Sequence, residues 1–315
     1  MIVRWSLAQL PAVLAEVGIE RPFVIASERW KKLDLRHVEW WGEVPSHRLQ
    51  VPEVADGILA VGGGSAIDTG KYASAESGKP VVHVPTTYSG AEWTTFYGIR
   101  SPDRVMQGGG AGAHPVAIVY DVDLTLDLPP DVTAGTALNG LSHCAEALYV
   151  KGHNADGDEQ ALAGATLIAQ ALPRVLAEPQ DRAAREELLR GAAHAGHALA
   201  LTGLALAHAM AQALGGRYGI SHGAMNALCL PPALEFNRAL VPAEVARFGD
   251  AIGGDAVERS RELALLGGFE RLRDFDVPET DLPSVAEAAS QRAGNLANPR
   301  PATAEEILAL FASIY

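Results

Sequence analysis

The chain has 315 residues, of which 48% are hydrophobic, and a formal net charge of −13. This length suffices for two domains with a sizeable core in each. The acidic balance argues against a general nucleic-acid or anionic-membrane surface, because such surfaces need a basic field, so an anionic substrate has to be held by locally placed cations.

The sequence shows no signal for a membrane or for an oxidising compartment. No stretch reaches about 18 uninterrupted apolar residues. The first residues, MIVRWSLAQLPAVL, lack a charged leader followed by a hydrophobic core and a cleavage site. Cys144 and Cys229 lie in apolar helical patterns, which favours a reduced, buried pair over a disulfide. We therefore expect a cytoplasmic protein.

The first part of the chain alternates short β-rich runs with helical or turn segments, which is typical of a parallel α/β sheet. The strand-like runs are PFVIAS (22–27), DGILAVGG (56–63), KPVVHVPTT (79–87) and PVAIVYDVD (115–123). From Asp131 onward the chain is rich in Ala and Leu with helical periodicity. The sequence thus predicts an α/β domain over residues 1–130 and a helical domain over residues 131–315.

A glycine-rich turn follows the second of these runs. Gly62, Gly63, Gly64 and Ser65 stand between a predicted strand and a predicted helix. Glycine lets backbone amides approach a ligand, and the start of a helix attracts a phosphate. The spacing matches neither the GxGxxG dinucleotide fingerprint nor the GK[ST] of a P-loop. A phosphate cradle and a tight turn packed under the helix are both compatible with it.

A second set of polar residues, Thr86, Thr87 and Ser89, lies at the end of the third run. Neighbouring strands of a parallel sheet share one edge at their carboxyl ends. If the second and third runs are neighbours, the hydroxyls and amides of this segment line the same pocket as the glycine turn.

Three histidines and one asparagine in the helical part form the strongest candidate for a chemical site. Asn139 and His143 are four residues apart and project from one face of a helix. His208 lies near the end of a second apolar run, and His222 follows a double-glycine break. Imidazoles brought together bind a metal, transfer protons or donate to an oxyanion. The spacing alone does not choose among these.

Five motifs, in chain order, resemble the iron-containing alcohol dehydrogenase superfamily and, within it, most closely the maleylacetate reductases. They are GGGSAIDTGK, VPTTYSGAEWT, ALNGLSHCAEALY, LAHAMAQALGGRYGISHGAMNALCLPPALEFN and ANPRP. The resemblance implies a Rossmann-like dinucleotide-binding α/β domain followed by an all-α domain, the dehydroquinate synthase-like fold. It also implies NADH or NADPH in the cleft between the domains, and a homodimer.

The resemblance further implies which residues bind cofactor and substrate. The cofactor-binding positions are matched by Gly62, Gly63, Gly64, Ser65, Asp68, Thr86, Thr87 and Ser89. Tyr88, inside the second cofactor segment, is expected to contact the nicotinamide or the substrate. Arg100, Arg217 and Arg300 are the candidates for binding the carboxylates of an acidic substrate.

Four positions match the metal quartet of the metal-dependent members, an aspartate and three histidines. Here they are Asn139, His143, His208 and His222. The carboxamide removes the only anionic ligand, so iron or zinc would be held by neutral groups alone, although three imidazoles can still bind zinc. The reductases that the chain resembles carry the same asparagine, which favours catalysis without metal. Gln212 replaces a further histidine common in the family, which leaves the substrate open.

The expected activity is NAD(P)H-dependent reduction of a small unsaturated or carbonyl substrate, with an acidic substrate favoured. His143, His208 and His222 are expected to donate hydrogen bonds to the developing oxyanion or to supply the proton, together with Asn139. Two alternatives stay open. One is a metal-dependent (iron or zinc) alcohol dehydrogenase of the same superfamily. The other is a member that has lost hydride transfer and works as a non-redox enzyme or a binding protein.

The segment from Glu28 to Ala55 is shorter than its counterpart in the family, which holds a helix, a strand and a second helix. That region contributes to the adenosine side of the cofactor pocket, so dinucleotide binding itself is open to question. Ser27 stands where NAD-preferring relatives carry an acidic residue. Because basic residues follow it, NADPH is tolerated as well, and the sequence does not choose between the two cofactors.

Overall fold

The computed structural model describes residues 1–102 and 106–315, which divide into two compact units. An α/β unit comprises Met1–Thr87 and Ala91–Asp127, and a helical unit comprises Tyr88–Gly90 and Leu128–Tyr315. The predicted fold class, an α/β half followed by an all-α half, is confirmed. The segment Tyr88–Gly90 belongs to the helical unit, although Thr87 before it and Ala91 after it belong to the α/β unit.

The α/β unit is built on a parallel sheet. Its strands, in chain order, are β1 (Ile2–Arg4), β2 (Pro22–Ile25), β3 (Glu39–Trp41), β4 (Gly57–Gly62), β5 (Val81–Pro85), β6 (Tyr97–Arg100), β7 (Met106–Gly110) and β8 (Pro115–Val119). Six of them form the sheet in the order β1-β8-β5-β4-β2-β3, with every neighbouring pair parallel. The remaining two, β6 and β7, form an antiparallel hairpin.

Burial explains why the central runs form strands. β4 and β5 are buried along their whole length, as expected for strands covered on both faces of a parallel sheet. Leu59 and Val82 pack into one apolar cluster, while Ile58 and Val81 pack into another. Successive side chains thus point to opposite faces. This alternation sets the register that brings the carboxyl ends of β4 and β5 side by side.

In the described part of the α/β unit, two α-helices pack with this sheet, α1 (Leu10–Glu16) and α2 (Gly64–Ser77). Gly70 lets α2 lie close to β4, because a Cβ at this position would stand 2.5 Å from Cβ of Ala60. Lys71 on the same helix is fully buried. Its ammonium donates to the carbonyls of Ala91 (2.9 Å) and Phe96 (2.7 Å), which ties the chain leading into the β6–β7 hairpin to α2.

The segment between β2 and β4 keeps the strand that the family places there. β3 lies at the edge of the sheet and pairs in parallel with β2. Within the described residues the segment contains a 3₁₀ helix, Glu28–Leu33, and no α-helix. Of the helix, strand and second helix that the resemblance implies for this segment, the described residues contain the strand and no α-helix.

The helical unit contains ten α-helices in the described part of the chain. They are α3 (Pro130–Ala147), α4 (Ala155–Ala177), α5 (Arg182–Leu201), α6 (Leu206–Tyr218), α7 (His222–Arg238), α8 (Pro242–Ile252), α9 (Ala256–Leu266), α10 (Leu282–Ser290), α11 (Ala293–Ala297) and α12 (Ala304–Ala312). Side-chain caps begin several of them: Asn154, Asp181 and Asp255 each accept a hydrogen bond from a first-turn N–H. Small residues allow close packing, since a Cβ at Gly164 on α4 would lie 3.0 Å from the carbonyl oxygen of Gly191 on α5.

A bend of 101° separates α5 from α6. Gly203 in the break has a φ of +128°, which glycine adopts far more readily than other residues. Among the described residues no single helix is long and apolar enough to cross a membrane, and α5 and α6 reach that length and composition only as a bent pair.

Candidate active site

The glycine turn between β4 and α2 exposes backbone rather than side chains. Gly62 ends β4 with a φ of +150°, and a Cβ there would lie 2.7 Å from Cβ of Ala66. Gly63 has no room for a side chain either, because its Cβ would stand 2.8 Å from Cγ2 of Thr87. No side chain caps the start of α2. The amides of Gly64 and Ser65 are therefore available to an anion, with the helix dipole behind them, whereas the amide of Ala66 already donates to the carbonyl of Gly63 (2.9 Å).

Two threonine hydroxyls lie at the end of β5, beside this turn. The backbone N–H of Thr86 donates to the carbonyl of Gly62 (3.0 Å), so the two strand ends adjoin. The hydroxyl oxygens of Thr86 and Thr87 are buried, and neither has a hydrogen-bond partner within residues 1–102 and 106–315. Leaving a buried hydroxyl unpaired is costly, and oxygens of a bound diphosphate would pair with it. The turn and the two hydroxyls thus fit the diphosphate of a dinucleotide.

Two other predicted cofactor residues are held by protein groups. Asp68 forms an ion pair of 2.8 Å with Lys71 and accepts a hydrogen bond from the N–H of Gly98. Ser89 belongs to the helical unit, where its carbonyl accepts a hydrogen bond from Asn139. The hydroxyl of Ser89 is buried without a hydrogen-bond partner among the residues described. Cofactor contacts of Asp68 and Ser89 stay predictions.

The structure brings the predicted asparagine and three histidines together inside the helical unit. Asn139 and His143 lie on α3, whose residues from Ala137 to Ala147 are all buried, while His208 lies on α6 and His222 begins α7. The rings of His143 and His208 stack with centroids 4.5 Å apart. The ring of His222 is tilted, with its centroid 5.7 Å from that of His208. We call these three rings the imidazole cluster.

Two carboxamides hold this cluster, and one of them, Asn226, was missed in the sequence. Asn139 Nδ2 donates to the carbonyl of Ser89 (3.0 Å) and lies 2.9 Å from Nε2 of His143. A carbonyl only accepts hydrogen bonds, so the atom of Asn139 that faces Ser89 must be its NH₂ group. The same NH₂ group faces Nε2 of His143, so Nε2 accepts and the ring hydrogen of His143 is on Nδ1. Asn226 Nδ2 likewise lies 3.0 Å from Nε2 of His222. Its position four residues after His222 was the available signal.

Burial keeps His143 neutral. Its desolvation, reinforced by the neighbouring His208 and His222, holds the pKa of His143 well below its ordinary value. The Nδ1 atom of His143 is buried and has no hydrogen-bond partner in the described part of the chain. A neutral ring with its hydrogen on Nδ1 is a hydrogen-bond donor at that atom.

Glu146, on the same buried helix as His143, is a second residue that sequence reasoning missed. Its carboxylate is completely buried and accepts hydrogen bonds from Nδ1 of His208 (2.6 Å) and from the backbone N–H of Ala205 (2.8 Å) and of His208 (3.1 Å). An acidic residue one turn after His143 in an apolar helix was a usable signal, because buried acids are rare unless paired.

The donor atoms of this cluster, as arranged, do not fit a metal ion. The Nε2 atoms of His143 and His222 each face an amide NH₂, and the Glu146 carboxylate is filled by three N–H donors. In the ranges that the structure describes, no group of three or more His, Cys, Asp or Glu side chains could hold a metal. Asn139 presents its NH₂ to the cluster, where the metal quartet needs an oxygen ligand.

The three substrate candidates in this unit are engaged elsewhere. Tyr88 is fully buried, and its hydroxyl accepts a hydrogen bond from Arg185 (3.1 Å). Arg217 pairs with Asp281 (2.9 Å) and Arg300 pairs with Glu306 (2.9 Å), both as exposed ion pairs. Their contact with a substrate stays a prediction.

Fold and site together define a class, proteins with a glycine turn on the parallel sheet of an α/β unit and a buried imidazole cluster in a helical unit. Residues 133–315 match the C-terminal domain of the Fe-containing alcohol dehydrogenase family, and residues 50–122 match iron-containing alcohol dehydrogenase. The chain belongs to this family and is an NAD(P)H-dependent oxidoreductase.

Individual relatives agree with this assignment. The maleylacetate reductase of Pseudomonas knackmussii is 31% identical over 98% of this chain and 93% of that protein. The crystal structure of maleylacetate reductase from Rhizobium sp. strain MTP-10005 has a TM-score of 0.88 at 27% identity, covering 100% of this chain and 95% of that one. The structure of a 1,3-propanediol oxidoreductase has a TM-score of 0.90 at 25% identity, covering 100% and 98%.

Proposed function

We propose that this protein is a reductase of the maleylacetate reductase type, which reduces a small, unsaturated keto acid with NADH or NADPH. One observation carries the proposal: the Asn139 carboxamide donates into the imidazole cluster, 2.9 Å from Nε2 of His143. The cluster is therefore built for hydrogen bonding to a substrate rather than for metal binding. Relatives named maleylacetate reductase support the substrate class.

The cofactor is assigned to the glycine turn of the α/β unit. The amides at the start of α2 and the hydroxyls of Thr86 and Thr87 would hold its diphosphate, since both hydroxyls are buried and unpaired among the described residues. A Cβ at Gly63 would stand 3.3 Å from the hydroxyl oxygen of Thr87, one of the two that would hold the diphosphate. When bound, the nicotinamide supplies the hydride.

The imidazole cluster suits an unsaturated ketone. Reducing a double bond conjugated to a ketone spreads the developing charge between the ketone oxygen and a carbon, whereas a simple aldehyde concentrates it on one oxygen and gains more from a Lewis acid. Hydrogen bonds from buried groups stabilise such an oxyanion. We assign donation from Nδ1 to His143 and proton transfer to His208, because Nδ1 of His143 and Nε2 of His208 are buried without a partner in the described ranges.

An acidic substrate needs a cation, and Arg292 is the candidate that burial favours. It directly precedes α11, is half-buried, and has no carboxylate partner among the residues described. Its Nη2 atom would lie 3.8 Å from a Cβ on Gly216 of α6, the helix that carries His208. Burial lowers the pKa of Arg292. A desolvated guanidinium without an anion gains more from a carboxylate than the paired Arg217 or Arg300 does.

The test is an assay of purified protein with maleylacetate and either reduced nicotinamide, following the loss of nicotinamide absorbance. We expect turnover that a chelator leaves unchanged, with less turnover of a simple aldehyde. Activity that appears only after iron or zinc is added would establish the metal-dependent alternative. Failure of folded protein to bind NADH or NADPH in a fluorescence titration would establish the non-redox alternative.

A further inference from the structure

The carboxylate of Glu146 has an unusually complete set of partners for a buried charge. Its side chain has no exposed surface, and three N–H groups donate to its two oxygens at 2.6–3.1 Å. Two of these donors, the backbone N–H groups of Ala205 and His208, lie at the start of α6, which has no side-chain cap of its own. Glu146, on α3, therefore caps α6 and at the same time accepts a hydrogen bond from the ring of His208.

This grip decides the tautomer of His208. A carboxylate only accepts hydrogen bonds, so the hydrogen of the ring must lie on Nδ1, which is 2.6 Å from Oε2 of Glu146. In the neutral form of the ring the lone pair is then on Nε2, a buried atom with no hydrogen-bond partner in the described part of the chain.

The other two rings of the cluster are held differently. The Nε2 atoms of His143 and His222 are occupied by the amides of Asn139 and Asn226, at 2.9 Å and 3.0 Å. His208 is thus the ring whose Nε2 no side chain of the described ranges engages. One imidazole of the cluster is thus hydrogen bonded at Nδ1 to a carboxylate, and the other two are hydrogen bonded at Nε2 to amides.

We propose that Glu146 is a positioning residue, which holds His208 with hydrogen on Nδ1 and keeps Nε2 ready for the reacting substrate. The inference rests on the proposed function: Nε2 of His208 takes up a proton from solvent and delivers it to the substrate carbon that becomes negative when the nicotinamide adds its hydride, which returns the ring to the neutral form with hydrogen on Nδ1. Glu146 takes no part in the chemistry itself. A side chain held by hydrogen bonds in one tautomer and one orientation needs no reorganisation when the substrate reacts.

The structure separates two substitutions of Glu146. Glu146→Gln keeps one oxygen, which is able to accept from both Nδ1 of His208 and the N–H of Ala205, the pair that Oε2 now serves. Glu146→Leu removes every acceptor. With maleylacetate, we expect the Leu variant to lose about 10²-fold or more in kcat, in line with a disabled proton-transfer group. The Gln variant should stay within about 10-fold, and KM should change little in either.

The tautomer itself provides a readout that does not depend on activity. Long-range ¹H–¹⁵N correlation spectra of ¹⁵N-histidine-labelled protein should show His208 hydrogenated at Nδ1 in the wild type and in Glu146→Gln. A shift toward Nε2–H is expected in Glu146→Leu. Ser142→Ala is the matched control, since Ser142 is buried on the same helix and its hydroxyl donates to the carbonyl of Leu138 (3.0 Å).

The outcomes separate this inference from the proposed function. A wild-type His208 carrying hydrogen on Nε2 would overturn the positioning role, whatever the enzyme reduces. Equal kcat in wild type and a folded Glu146→Leu variant would do the same. If Glu146→Leu does not fold, Glu146→Gln decides. Retention of both the Nδ1–H tautomer and kcat in Glu146→Gln, with kcat and KM unchanged in Ser142→Ala, supports the positioning role. A Glu146→Gln variant that keeps kcat but loses the tautomer contradicts it. Absence of maleylacetate turnover alone would contradict only the proposed function.

Discussion

Asn226 Nδ2 donates a 2.7 Å hydrogen bond to Oδ1 of Asn139, so the two carboxamides form one chain. Asn139 in turn places its own NH₂ between two acceptors, the carbonyl of Ser89 and Nε2 of His143. This arrangement explains why an amide suits the position. A carboxylate there would turn an oxygen toward both acceptors, and only a proton or a cation would relieve the repulsion.

The first prediction follows from this relationship. Asn139→Asp should lower the free energy of unfolding by about 1–3 kcal/mol in metal-free buffer, the cost of leaving buried polar groups unsatisfied. Zn²⁺ should restore part of this stability, because the new carboxylate completes an anionic ligand set with neighbouring imidazoles. Urea unfolding with and without Zn²⁺ measures both effects.

Asn237→Asp is the matched control for this variant. Asn237 is an equally buried carboxamide, hydrogen bonded to Asn298 rather than to an imidazole. It should be destabilised and should gain nothing from Zn²⁺. Zn²⁺ rescue of both variants, or of neither, would contradict the explanation given for Asn139.

Gly63 provides a prediction about cofactor binding. Gly63→Ala should raise the Kd of NADH or NADPH by about 10-fold or more, equivalent to about 1.4 kcal/mol, because a Cβ occupies the cradle. The same Cβ also clashes with Cγ2 of Thr87, at 2.8 Å. Thr87→Ser removes Cγ2 and keeps the hydroxyl. The clash should lower the free energy of unfolding of Gly63→Ala, and the double variant should recover it. The affinity of the double variant for NADH or NADPH should stay low. Recovery of affinity as well would show that the clash within the protein, and not the diphosphate, caused the loss.

A comparison of Arg292 with Arg217 and Arg300 gives a prediction about substrate binding. Arg292→Lys should raise KM for maleylacetate by about 10-fold with little change in kcat, since lysine cannot form the bidentate contact with a carboxylate. Arg217→Lys and Arg300→Lys should change KM by less than about 2-fold, because both arginines already pair with carboxylates of the protein at its surface. Such exposed ion pairs contribute little free energy, and a lysine can replace them. Initial-rate kinetics of the three variants decide among them. A rise in KM confined to Arg217→Lys or Arg300→Lys would favour the residues chosen from the sequence.

His83 provides a pH dependence of stability. The side chain is fully buried in β5 and its Nδ1 donates to the carbonyl of Glu92 (3.0 Å). Burial, reinforced by Lys71, lowers the pKa of His83 to about 3, against 6.5 for an ordinary histidine. Between these values the unfolded chain binds a proton that the folded chain does not. The free energy of unfolding therefore falls as the pH falls through this window.

His83→Asn tests this, because asparagine keeps a donor near Nδ1 and does not titrate. Relative to the variant, the wild type should lose about 2 kcal/mol between about pH 7 and pH 5, at about 1.4 kcal/mol per pH unit for one proton. Burial raises the pKa of Glu92, so this group makes the free energy of unfolding rise as the pH falls. The wild type and the variant share this contribution, so it cancels when the two are compared. Parallel urea curves at several pH values measure it, and equal slopes would refute it.

Lys71 gives a prediction about stability alone. Lys71→Met should lower the free energy of unfolding by about 3 kcal/mol, because it removes the buried ammonium that pairs with Asp68 and donates to the carbonyls of Ala91 and Phe96. Lys31→Met is the control, since Lys31 forms an exposed pair with Glu28 and its loss should cost less than about 0.5 kcal/mol. Urea unfolding of both variants measures the difference. Similar losses would mean that the buried ammonium contributes no more than a surface pair.

The order of strands and helices could be predicted from the sequence because it follows from local patterns. Continuous apolar runs such as the one at β4 predict a buried parallel strand, and Ala/Leu periodicity after Asp131 predicts helices. The glycine turn was visible for the same reason, since a strand running into consecutive glycines marks a backbone site. The spacing of Asn139 and His143 likewise places them on one helix face.

Only the tertiary structure decided which groups face one another across helices. Glu146 and His208 are 62 positions apart in the chain, and Asn226 and Asn139 are 87 apart, so no local pattern pairs them. The hydrogen-bond partner sets the tautomer of each imidazole and the direction of each amide, and that partner comes from packing. The sequence determined which residues are available for the chemistry; the fold determined which nitrogen of each ring is left for it, because a buried donor must meet an acceptor.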